Sequence, residues 1–285
     1  AWKLIASSIR NKKILNEANA NIDINPNAAL SLAKIGVYFP ANFLNSIQKL
    51  RKPDVIRYSL SSIREFIRLI FDENNMSNES SGFKNNNLTE EINEELFQIL
   101  LQEINCEDEN ICKLCGECLG LLSCKSNNLF LLKKFLNFLD DKNEKIRSGF
   151  YFGIKFINFN FKKNENEEFS YSHKFLEKLI KGLSDEFIEV KTNSYNSLIS
   201  FAHENYNILK FKFAEIWVLF ENDYKQKPEL VSTVDIGGGM RIKTDKGLPI
   251  RKSIFSTIKI LVDNIPEKIN FVSALQILIN GLGKK

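Results

Sequence analysis

Histidine is almost missing from this chain: two residues in 285, His173 and His203. Catalysis by Ser/His/Asp or Cys/His constellations has nearly no material, because the base in those arrangements is an imidazole. An excess of one charge is also lacking. There are 39 basic and 35 acidic residues, a formal charge of +4, and the two signs are interleaved. A nucleic-acid-binding face is therefore not expected. No apolar run reaches the roughly 18 residues that span a membrane, and no secretory signal is visible. The five cysteines, Cys106, Cys112, Cys115, Cys118 and Cys124, crowd one segment in odd number. That is not a disulfide framework, and it fits a reducing cytoplasmic or nuclear location. Outside residues 231–252 no segment reads as a strand.

What is present is enough to bury a core: 44% hydrophobic residues, 23 Phe among them, against 26% charged. One pattern recurs. An apolar residue, a basic one and then a small one open an amphipathic helix at Ile56-Arg57 with Ser59, and at Ile146-Arg147 with Ser148 and Gly149. It returns at Val190-Lys191 with Ser194 and at Ile250-Arg251 with Ser253; Ile111-Cys112 is a weaker copy with Cys in the basic slot. Each follows an acidic or turn-rich corner such as Asp140-Asp141 or Asp185-Glu186, and an apolar helix lies upstream, as over 129–138 and 175–183. Helix, short turn, helix at about 40 residues per unit is the signature of HEAT repeats. The expected fold is all-α, a HEAT-repeat α-solenoid of about six to seven helical pairs. Small residues let neighbouring helices approach closely. Corner acids cap, and the basic residues pair with acids of adjacent corners, each exposed pair being worth about 1 kcal/mol or less.

Two intervals are long. From Ile56 to Ile111 the excess is segment 74–87, polar and rich in Asn and Ser, which reads as a disordered surface insertion. Thr89 then caps a helix with Glu90 and Glu91 in its first turn. Residues 162–168, KKNENEE, read as a smaller polar loop. From Val190 to Ile250 the excess matches residues 231–247 in length. There Val231, Thr233, Ile242 and Thr244 flank Gly237-Gly238-Gly239, the composition of an inserted β-hairpin. Two strands are marginal in water by themselves, so this insertion reads as a tool for touching a partner. The chain opens on Ala1 and ends on Gly281-Leu282-Gly283-Lys284-Lys285, and is expected to be one repeat array taken from a longer protein.

Other chemistry is weak. Cys112-x-x-Cys115, with Cys118, suggests zinc, but a zinc site needs four ligands and no second pair exists. Ile111, Leu114, Cys118 and Leu122 share one helix face, so structural core is the expected role and no metal or cofactor is expected. The three glycines are followed by strand rather than by the helix N-terminus that a phosphate loop requires. Asp140-Asp141 and Asp185-Glu186 read as corner acids, Trp217 as core or inter-repeat packing, and His203 as a solvated helix-end residue. No enzyme is expected.

Three segments resemble the C-terminal part of the cullin-associated, neddylation-dissociated (CAND) proteins. They are Gly116-Glu117-Cys118-Leu119-Gly120; the pair of repeats over 129–201, with Arg147-Ser148 and Ile154-Lys155-Phe156; and the hairpin with its flanks. Those flanks are Glu229-Leu230-Val231 through Asp235-Ile236-Gly237, then Asp245-x-Gly247-Leu248-x-Ile250-Arg251-Lys252. The resemblance covers roughly residues 28–283 and is strongest after 107. It implies a repeat protein that holds the N-terminal region of an unmodified cullin, competes with the substrate-receptor adaptor and promotes receptor exchange. The broader alternative is a HEAT scaffold of the transport-receptor or phosphatase type. On the first reading the partner surface is several repeats plus the hairpin. Ile236, Met240 and Ile242 supply apolar contacts, Arg241 and Lys243 polar ones, on a tip of Gly237, Gly238 and Gly239. The family's Pro-Phe-Lys-His tip is replaced by Gly238-Gly239-Met240-Arg241-Ile242, so Met240 takes over the apolar role.

Overall fold

The structure, a computed structural model, describes residues 26–70, 89–125, 129–158, 165–235 and 241–281. Segment 74–87 lies outside the described residues. The chain divides into two compact units, Ala1–Asn137 and Phe138–Lys285.

The first unit holds α1 (Pro26–Gly36), α2 (Pro40–Lys49), α3 (Ile56–Ile70), α4 (Glu90–Glu103), α5 (Glu109–Lys125) and all but the last residue of α6 (Leu129–Phe138). The repeat signature makes α3 amphipathic. Ile56, Leu60, Ile63, Phe66 and Ile67 fall three or four apart and are all buried. Pro40 opens α2 at a position where its missing N–H has no helical partner to lose. Thr89 caps α4 as expected, its hydroxyl accepting from the Ile92 N–H at 3.3 Å, with Glu90 and Glu91 in the first turn. Helix α1 stacks on α3, and the signature helices α3 and α5 stack on one another. Arg68 reaches Glu117 across that second contact at 2.6 Å. Phe43 and Phe66 stack with centroids 4.3 Å apart. Of the face named from sequence, Cys118 and Leu122 are fully buried in α5 and Ile111 and Leu114 only partly so; Cys115 is fully buried too, and burial pushes its thiol and that of Cys118 well up.

The second unit repeats the scheme with α7 (Glu144–Gly153), α8 (Glu165–Leu183), α9 (Ile188–Leu209), α10 (Phe213–Asp223), α11 (Leu248–Asn264) and α12 (Phe271–Gly281). Helix α9 packs against α7, α8 and α11. The small residues of the signature sit at these contacts. Asn193 Nδ2 donates to Ser148 Oγ at 2.8 Å, and Ser253 Oγ donates to Asn196 Oδ1 at 2.8 Å. Gly182 of α8 faces Ser194 and the Tyr151 ring so closely that a Cβ there would overlap both. Trp217 packs between repeats as expected, stacked on Phe213 at 5.3 Å and donating to Ser273 Oγ of α12 at 3.1 Å. His203 is exposed near the end of α9. One loop expectation needs correction: α8 starts at Glu165, so the second half of 162–168 is helical. Glu165, Glu167 and Glu168 stand in its first turn, where the helix dipole favours acids and nothing breaks the helix.

The corners carry a repeated clamp. Arg57 pairs with Asp108, Arg147 with Asp185 at 3.0 and 3.1 Å, and Lys191 with Asp223 at 2.7 Å. Each of these three basic residues thus reaches an acid of the following corner. Arg147 also donates to the Asp141 and Lys142 carbonyls of its own corner at 2.8 and 3.1 Å. Corner acids Asp108, Asp141 and Asp185 accept from the backbone N–H two residues on, at 2.8–3.0 Å. This is the local turn that short acidic side chains favour. Among the described residues no helix is long and apolar enough to cross a membrane.

Candidate functional site

Between α10 and α11 the chain leaves the helical scheme. Strand β1 (Val231–Asp235) pairs antiparallel with β2 (Arg241–Asp245), Val231 opposite Asp245 and Asp235 opposite Arg241. Period-two alternation separates the faces. One carries Val231, Thr233 and Asp235 against Asp245, Lys243 and Arg241. The other carries Ser232 and Val234 against Thr244 and Ile242. Only the foot, Val231 and Asp245, is even partly buried. Val234 and Ile242 lie directly opposite one another, 49% and 51% exposed. A β-branched pair at about half exposure, on strands exposed beyond their foot, is apolar surface available to a partner.

The foot is locked from several sides. The Lys246 N–H donates to the Leu230 carbonyl at 3.0 Å. Asp245 accepts from Arg251 at 2.8 Å, from Gln226 Nε2 at 2.7 Å and from the Gly247 N–H at 2.9 Å. Arg251 is the signature residue of this repeat, and here it clamps its own corner. Gly247 fits a tight spot, since a Cβ there would stand 3.1 Å from Leu230 Cδ1 and 3.3 Å from Arg251 Nη1. The Arg251 guanidinium, helped by Gln226 and the Gly247 N–H, holds the Asp245 carboxyl below the usual range against a smaller effect of burial.

Behind the foot lies a cleft of about 160 Å³ lined by Asp185, Lys191, Asp223, Lys227, Leu230 and Ile250 among others. Asp223 is its anchor. Its side chain is only 4% exposed, yet it accepts from Lys191 at 2.7 Å, from Lys227 at 2.8 Å and from the Tyr195 hydroxyl at 2.8 Å. Burial works against ionisation, but the two ammonium groups and the hydroxyl outweigh it and hold the carboxyl below its ordinary value. Burial and the neighbouring carboxylate push the Tyr195 phenol well up. Both feet of the hairpin are therefore tied to the helices, one through Lys227 and Asp223, the other through Asp245 and Arg251.

A pH dependence follows with a definite sign. The folded-state values of Asp223 and Asp245 lie below those of an unfolded chain, about 3.9, so folding disfavours their protonation. Their contribution is complete above that value and is lost as pH falls through the folded-state values. Urea midpoints are expected to drop as pH falls below about 4, and to drop less in Asp245→Asn. An identical drop in that variant would remove Asp245 from the account.

Of the residues named from sequence, Arg241, Ile242 and Lys243 lie on β2 and are exposed. Arg241 lies 3.9 Å from Asp235 across the strands. Ile236, Gly237, Gly238, Gly239 and Met240 lie outside the described residues. Val234 was missed, although alternation with Ile242 opposite was enough to find it. Asp223 was missed too. Its signal was an acid on the apolar face of α10, at helical spacing from Ile216 and Phe220.

Residues 208–285 match the family model described as TIP120, TATA-binding protein interacting (TIP20). The chain is 26% identical over 268 residues to the cullin-associated NEDD8-dissociated protein 1 of Dictyostelium discoideum, covering 93% of this chain and 20% of that protein. It therefore spans about a fifth of that relative's length. Among solved structures, a computationally designed armadillo repeat protein for modular peptide recognition aligns over 82% of this chain and 92% of its own, at 16% identity and a TM-score of 0.40. A designed armadillo repeat protein in complex with the peptide (KR)4 aligns over 87% and 92%, at 15% identity and a TM-score of 0.44. The resemblance to the C-terminal part of the CAND proteins is borne out by the first two findings, and the hairpin, α11 and α12 lie inside the matched family domain.

Proposed function

From this likeness to the CAND proteins, we propose that the chain is a cullin-associated repeat segment that holds the N-terminal region of an unmodified cullin. Its hairpin stands where the substrate-receptor adaptor would sit, so the two compete and receptors are exchanged. The observation that carries this reading is the hairpin itself. Its strands are exposed on both faces, its foot is fixed, and it interrupts a repeat at the place the family resemblance marks. Burying the exposed halves of Val234 and Ile242 against a partner is worth on the order of 2 kcal/mol, and the fixed foot spares the ordering cost of a loose loop. Arg241 and Lys243, beside Asp235 and Thr233 on the opposite face, set polarity and register.

The test is binding of the chain to an unmodified cullin N-terminal region, with the adaptor titrated in. The expected result is displacement of one by the other. A stable complex of all three would refute the shared position, and no binding at micromolar concentration would refute the cullin reading for this segment.

A further inference from the structure

The corner clamp is present at four copies of the signature and replaced at the fifth. Arg57, Arg147, Lys191 and Arg251 all reach a carboxylate. In α5 the basic slot holds Cys112. Its thiol turns back to its own corner, donating to the Ile104 carbonyl at 2.9 Å and lying 3.4 Å from the Cys106 carbonyl. Arg147 treats the carbonyls of its corner in the same way. A thiol thus does part of the work of a guanidinium. The corner it closes also presents a second thiol: Cys106 Sγ lies 3.7 Å from Cys112 Sγ.

We propose that Cys106 and Cys112 form a reversible disulfide when the protein meets a hydroperoxide, so that this corner carries a covalent clamp where the other copies carry an ion pair. A disulfide bond is about 2.05 Å long, so the sulfurs close by about 1.7 Å, within reach of side-chain rotation at the corner. Cys106 is partly exposed and Cys112 is buried, which sets the order of events. The Cys106 thiolate attacks the peroxide O–O bond, giving a sulfenic acid and releasing the alcohol, or water when the oxidant is hydrogen peroxide. The Cys112 sulfur then attacks that sulfenic sulfur. The S–O bond breaks, the S–S bond forms, and the departing hydroxide takes the Cys112 proton as water. Two thiols are oxidised and one hydroperoxide is reduced. Cys115 and Cys118, fully buried one and two turns further along α5, stay out of the reaction.

The sequence makes the test simple. Trypsin releases Cys106 and Cys112 together in peptide 85–113, and Cys115, Cys118 and Cys124 together in peptide 114–125. The folded chain is treated with hydrogen peroxide, then denatured, alkylated and digested without reduction. Peptide 85–113 is expected lighter by two hydrogens and without alkyl groups, and to recover both alkyl groups after dithiothreitol. Peptide 114–125 is expected alkylated at both Cys115 and Cys118 throughout. In Cys106→Ser, a change at a partly exposed corner, peptide 85–113 is expected to keep its single alkylated Cys112 after peroxide. Overturning results are a doubly alkylated peptide 85–113 after peroxide, over-oxidation of Cys106 without cross-linking, or loss of the Cys112 thiol in the Cys106→Ser chain.

Discussion

A chain lacking residues 237–243 is expected to bind the cullin N-terminal region at least about tenfold more weakly, with no change in its thermal midpoint. The two halves of that result have separate causes. The strands are exposed along both faces, so the stack loses almost no buried area when the outer part of the hairpin goes. Asp245, Arg251, Gln226 and the Lys246–Leu230 backbone bond lie outside the deletion and keep the foot in place. The affinity falls because few residues in an interface carry most of its energy, and losing one such cluster costs about 2 kcal/mol or more. Paired substitutions Val234→Asp and Ile242→Asp, with the hairpin retained, are expected to reproduce most of the loss. Isothermal titration and thermal unfolding on the same preparations separate the outcomes. Unchanged affinity would exclude the hairpin from the contact. A lowered midpoint would make it structural instead.

Asp223→Ala is expected to destabilise the fold by about 3 kcal/mol, since removing one partner of a buried ion pair strands the charge of the other. Lys191, 18% exposed, loses its carboxylate partner, and the buried Tyr195 hydroxyl is left with only the Leu219 carbonyl at 3.4 Å. Lys227, 37% exposed, can turn to water, which keeps the cost at the low end of that range. Lys227→Ala should cost no more than about 1 kcal/mol for the same reason. Urea unfolding of both single variants and the double variant gives the coupling directly. A loss below about 1 kcal/mol for Asp223→Ala would mean the carboxylate was not holding the cleft together.

The repeat was legible because packing writes a period into the chain. The apolar-basic-small signature marks the helices that stack, and Ser59, Ser148, Ser194 and Ser253 lie where closeness is needed. The hairpin was legible because β-formers and three glycines break that period. The partners of individual charges were not. Nothing local tells Arg251 to clamp its own corner when Arg57, Arg147 and Lys191 reach forward to the next; its acid, Asp245, comes from the inserted hairpin's own foot. Asp223 was hidden for a related reason: its partners come from α9 and from the segment after α10, brought together only by the fold. The start of α8 was misjudged because a run of acids reads as solvated loop, although the same run suits the first turn of a helix. Residues 236–240, which carry most of the expected apolar contacts, lie outside the described residues, so the site is defined through its strands and its foot.

The self-closing clamp at Arg251 has a consequence for how this protein can change over generations. In the other repeats a corner acid answers to a neighbour, so altering it disturbs two repeats at once. At the hairpin the clamp begins and ends inside one corner, and the described strand residues beyond it bury next to nothing. Selection for stability is blind to the projecting residues. The exposed strand residues can therefore change with whatever they touch while the stack beneath them stays undisturbed.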